Sequence, residues 1–99
     1  MTRIKDLADQ IKDELHSAKE YTEEYLSLKA EDNGTWANRY KEMAQEELKH
    51  AGYIHDRAVV EIENLRKVYT PPQDMLDKWD ADHKRYIEKA AWIRQMLAM

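Results

Sequence analysis

Glu47 and His50 stand three residues apart in the run Glu46-Glu47-Leu48-Lys49-His50. On a helix that spacing stacks them on one face. The same face is otherwise apolar, with Trp36, Tyr40 and Met43 before the pair and Ile54 after it. A carboxylate and an imidazole left unpaired in an apolar stripe cost several kcal/mol, so the pair needs a partner. Two partners fit. One is a metal ion: carboxylate oxygen with imidazole nitrogen and no thiolate is a ligand set for iron or manganese, and the chain has no cysteine. The other is a set of hydrogen bonds and water at a subunit interface or bundle edge, with no metal.

The elements that position the pair are helices. The chain of 99 residues is rich in Leu, Ala, Glu, Lys and Met and holds two Gly and two Pro, which points to an all-α protein with no sheet. Hydrophobic spacing predicts three helices, at about 2–31, 35–68 and 71–98, in a single domain, 1–99. The first, capped by Thr2, has the seam Ile4, Leu7, Ile11, Glu14, Ala18, Tyr21, Tyr25 and Leu28, in which Glu14 alone is charged. Asp32-Asn33-Gly34-Thr35 is the turn, with Gly34 expected in the left-handed position and Thr35 as the next cap. So short a connection makes a long antiparallel hairpin. The second helix adds a stripe of Ala44, Leu48, Ala51, Ala58, Ile62, Leu65 and Tyr69, with His55 inside it. Two stripes predict that it is covered on two sides and central. Thr70-Pro71-Pro72-Gln73 ends it and reads as a capping box for a third helix, whose seam is Leu76, Trp79, His83, Tyr86, Ala90, Ile93 and Leu97.

Equal rise along antiparallel helices sets the levels. A turn near residue 33 brings Glu14 level with about residue 52, close to His50 and about a turn and a half from Glu47. A second turn near residue 71 puts His83 level with Val59, beside Glu61 and about 13 Å along the axis from His50. Glu14, Glu47 and His50 therefore form one layer and are the expected metal ligands, the alternative for Glu14 being a carboxylate that reaches solvent or pairs with a lysine such as Lys49. Glu61, Asp80 and His83 make a candidate second layer. Asp80 and His83 repeat the acid-x-x-His spacing, but so do Asp13 and His16 off their seam, so the spacing alone carries little weight. His55 and His83 read as hydrogen-bonded seam histidines, and His16 as a surface residue. Tyr21, Tyr25, Tyr40 and the methionines read as packing.

Other classes lack their signals. The net charge of −4 comes from interspersed signs, with no basic face for nucleic acid. No apolar run approaches the ~20 residues of a membrane span, and Met1-Thr2-Arg3-Ile4-Lys5-Asp6 has no signal-peptide core. A cytoplasmic protein is the expectation. A Gly-rich phosphate loop, a nucleophilic cysteine and a Ser-His-Asp arrangement are not legible, and no catalytic side chain is assigned.

The constellation resembles the ferritin-like superfamily, in which one helix gives a Glu and the next a Glu-x-x-His. Glu14 matches the first, and Glu47 with His50 the second. Tyr21 two turns after Glu14, and Ala44 and Ala51 bracketing the motif, are similar to the rubrerythrin branch. The resemblance covers roughly residues 2 to 68. Full-length members have four helices and two such halves; this chain has one half and a third helix. In that it resembles the short single-hairpin members, including those packaged in encapsulin shells. The resemblance implies a homodimer or higher homo-oligomer with a four-helix-bundle-like core formed on dimerisation, a di-iron site at the subunit interface and ferroxidase activity. Manganese is the alternative metal, and a shell protein is an implied partner. The other function class is a structural or interaction bundle without metal, of phage or prophage type, with a phage protein as its partner.

Overall fold

Helix-forming residues with apolar side chains every three or four positions fold into three α-helices in the computed structural model, which describes residues 2–99 and the side chains of 3–99. They are α1 (Thr2–Ala30), α2 (Gly34–Val68) and α3 (Gln73–Leu97), and no strand occurs among the described residues. The cap expected from the Thr2 side chain lies outside what is described; the residue itself opens α1.

The first turn differs from expectation in which residue bends. Asp32, not Gly34, takes the left-handed conformation, with φ of 62°. The Asn33 N–H donates to the Leu28 carbonyl at 2.9 Å and the Asp32 N–H to that of Lys29 at 3.1 Å. This is a Schellman ending, and a short polar side chain tolerates the left-handed residue at its centre. Gly34 is thereby free to be the first residue of α2, and Asn33, not Thr35, occupies the cap position, without a side-chain cap bond. The second turn also lacks its expected cap. Tyr69 is extended (φ −163°, ψ 168°) and Pro72 sits at the cap position. Gln73 turns forward to donate to Asp77 at 2.9 Å instead of closing a box with Thr70.

Burial selects between the two stripes of α2. Ala37, Ala44, Leu48, Ala51, Ala58 and Ile62 are buried, whereas Trp36 is 58% exposed and Met43 38%. On α1 the buried line is Ile4, Leu7, Ile11, Leu15, Ala18, Thr22 and Tyr25, so the seam runs through Leu15 and leaves Glu14 at its margin. Thr22 is accommodated in the core because its hydroxyl donates to the Ala18 carbonyl at 2.7 Å. Ala90, Ile93 and Leu97 are the buried part of α3. The central helix is α1, not α2: α2 packs along it closely, α3 also lies on it, and α3 approaches α2 more sparsely. α3 covers one side of the hairpin only. Its residues share clefts with Ala8, Ile11 and Leu15 of α1 and with Leu48, Gly52 and Tyr53 of α2. At 100° per residue, Glu47 and His50 point about 100° and 160° away from Leu48, and Glu14 about 100° away from Leu15. The stripe of Glu14, Glu47 and His50 thus faces away from α3. Among the described residues, no helix is long and apolar enough to cross a membrane.

Candidate metal centre

Glu14 comes from the middle of α1, and Glu47 and His50 from successive turns of α2. The tight Asp32 turn sets α1 and α2 in register, and the alanines of α2 let the two helices approach. Each of the three residues offers one ligand atom to a cluster in which all lie within 4.8 Å of one another, and no other such group occurs among the described residues. His50 Nδ1 is 3.8 Å from Glu14 Oε2 and 4.0 Å from Glu47 Oε1. These gaps are too long for hydrogen bonds. They leave room for a cation bound at the ~2 to 2.4 Å usual for nitrogen and oxygen ligands. Glu14 and Glu47 are mostly shielded, with side chains 29% and 24% exposed, while His50 is 54% exposed.

The electrostatics point the same way. The Glu47 carboxyl is pushed up to about 6, first by its hydrogen bond to Glu14, then by burial and by the Glu14 charge; His50 opposes the rise and Glu46 adds to it. Two carboxylates this close cannot both ionise without a compensating positive charge. A proton supplies it in the metal-free site, and a cation coordinated by the same oxygens would supply it equally. The residues present fit a hard or borderline divalent ion.

Tyr21 and Tyr40 lie two turns from the acids, toward the hairpin turn, with ring centroids 6.1 Å apart. Tyr25 is buried. His16 is on the surface, 3.0 Å from Glu20.

The second expected layer does not form. Glu61 pairs with Arg3 at 3.5 Å and Arg57 at 3.9 Å, Asp80 is exposed, and His83 meets His55 instead, with Nδ1 2.6 Å from His55 Nε2. The reason is the connection between α2 and α3. Val68 ends α2 thirteen residues beyond His55, while α3 starts at Gln73, ten residues before His83. The extended Tyr69–Pro72 segment therefore returns along α2 by about three residues, roughly 4.5 Å. A tight turn would have set His83 at the level of Val59. The signal for the pairing was present as two histidines inside facing seams; what was missing was the length of the connection. Comparison with protein families, with curated proteins and with solved structures returns no match.

Proposed function

We propose that the chain is a metal-binding protein of the di-metal carboxylate type, with Glu14, Glu47 and His50 as its ligands and ferrous iron as the ion it takes and oxidises. The observation that carries this reading is the convergence of the three side chains on the face turned away from α3. Three donors from one chain leave a six-coordinate ion short of ligands. A second copy laid on the same face supplies the set again, giving two Glu14 and two Glu47-x-x-His50. That is the ligand complement of a ferritin-like di-metal site. Trp36 and Met43 on the same stripe, with Tyr40 and Ile54 partly buried between and beyond them, are the apolar surface such a dimer would cover.

Within the site, Glu14 and Glu47 would hold the ion through carboxylate oxygens and His50 through an imidazole nitrogen. Iron held there would supply one-electron chemistry, with dioxygen as the acceptor of the electron each ferrous ion gives up. Glu47, which holds its proton up to about pH 6, would give it up to solvent on binding an ion, so binding should strengthen as pH rises through that value. Manganese is the second ion the donors suit.

Ferrous iron added to the protein in air is expected to give ferric absorbance faster than the same iron with a Glu47→Ala variant. Equal rates would dismiss the oxidase reading. A second reading, a metal-free interaction bundle, is favoured by one observation: Glu14 and Glu47 can satisfy each other through the shared proton. It predicts protein isolated without bound iron or manganese and no gain in thermal stability when either is added.

A further inference from the structure

The first half of α3 is held differently from the second. Ala90, Ile93 and Leu97 are buried in the core, but residues earlier in α3 stand off α1 across clefts of about 570 and 240 Å³. What ties this half to the hairpin is a stack of rings. His55 of α2 lies over Tyr86 at 4.4 Å and 13°, beside His83 at 4.8 Å and 24°, and against Trp79 at 5.8 Å and 21°. The 2.6 Å hydrogen bond joins the two imidazoles directly.

We propose that the His55–His83 pair is a proton-operated latch, closed near neutral pH, that releases the first half of α3 from the hairpin in mild acid. Two imidazole nitrogens at 2.6 Å require one donor and one acceptor. The bond survives with both rings neutral or with one charged. When both are charged, each facing nitrogen carries a hydrogen and two positive rings abut, so the contact must open.

The surroundings do not neutralise the second charge. Lys12 faces the cleft from α1, and Asp82, Arg85, Glu88 and Lys89 from α3. Asp56 of α2 lies 3.8 Å from His55 Nδ1 but is 82% exposed. Three cations and three acids balance, and Asp82 is already engaged by Lys78 at 3.1 Å and by Arg85 at 2.5 Å. Burial, then the nearby His83 charge, lower the His55 pKa below the ordinary imidazole value, with Asp56 opposing. A histidine whose pKa is lowered on folding stabilises the docked state above its unfolded value of ~6.5, and that contribution is lost as pH falls below it.

Hydrogen exchange read by mass spectrometry at pH 7.5 and 5.5, corrected for the intrinsic rate, tests the latch on the full chain. Protection over residues 73–86 should be lost at pH 5.5, while α1 and the first half of α2 keep theirs. His83→Gln retains an amide that can bond His55 but cannot become charged, so it should keep its protection at pH 5.5. Equal loss in wild type and variant, or loss spread evenly over all three helices, overturns the proposal. Should His83→Gln already be undocked at pH 7.5, proton NMR titration of the wild-type imidazoles decides. His55 titrating below the ordinary imidazole value, together with the loss of α3 protection, supports the latch. Both rings titrating near 6.5 with α3 still protected refutes it.

Discussion

At the scale of single residues, Glu47 is where the cost of the site is concentrated. Its carboxyl sits beside that of Glu14 and holds a proton up to about pH 6, against an ordinary value of 4.5. A group whose pKa rises on folding favours the folded state below its unfolded value and ceases to as pH climbs through the folded one. In the metal-free protein, Glu47 therefore helps at pH 4 and stops helping above about 6. Partial solvent screening keeps the effect to about 1 kcal/mol. Glu47→Gln, which is uncharged at every pH, should raise the melting temperature of metal-free protein by a few degrees at pH 7.5 and make no difference at pH 4. Added manganese should then stabilise wild type by mass action and the variant much less. Thermal melts followed by circular dichroism at the two pH values, with and without the ion, check both halves. Much of this site was legible in the sequence, because a lone charge in each of two facing seams, joined by a short turn, leaves few other places for either to go. Its edge was not legible. The pattern placed Glu14 in the seam, whereas the buried position is Leu15; the close approach of the helices buries the leucine and leaves the acid where it can reach Glu47 and His50.

At the scale of elements, the alanines of α2 set how near that acid can come. Ala44, Ala51 and Ala58 are fully buried at seven-residue intervals, and Ala18 of α1 is equally buried. Small side chains let two helix backbones approach, and Ala51 is one turn from Glu47. Ala51→Leu inserts three carbons where no space exists and should cost ~1–3 kcal/mol. By pushing α1 from α2 it should also separate Glu14 from its partners and weaken manganese binding by more than the loss of stability explains. Val60→Leu, on an exposed position of the same helix, should change neither quantity. Urea unfolding gives the first and titration by electron paramagnetic resonance the second. The helices themselves were readable because their seams are long and regular. Their connections were less so. Glycine advertised the left-handed residue at 34, yet Asp32 takes it, because the helix end closes two residues earlier through carbonyls that the sequence does not mark. The two prolines announced a stop but not the extended path that slides α3 along α2 and brings His83 to His55.

At the scale of the whole molecule, the chain is a rod, 55 × 18 × 17 Å with a radius of gyration of 16.1 Å, well above the ~13 Å of a globular domain of this length. A rod of three helices has a side that its own third helix cannot cover. Here that side carries the acids, His50, Trp36 and Met43. If it is completed by a second copy, association and ion binding must be linked, because each chain contributes half of the ligands and the ion draws both halves together. Wild-type protein should sediment nearer twice 11.8 kDa once ferrous iron is added without air, and Trp36→Lys should stay nearer 11.8 kDa under the same conditions. Val60→Lys, at an exposed position about 120° round the helix from Trp36, should dimerise like wild type. Wild-type protein that binds iron while remaining a monomer would show instead that each chain completes its site with water, and the shared centre would have to be abandoned although its three ligands stood.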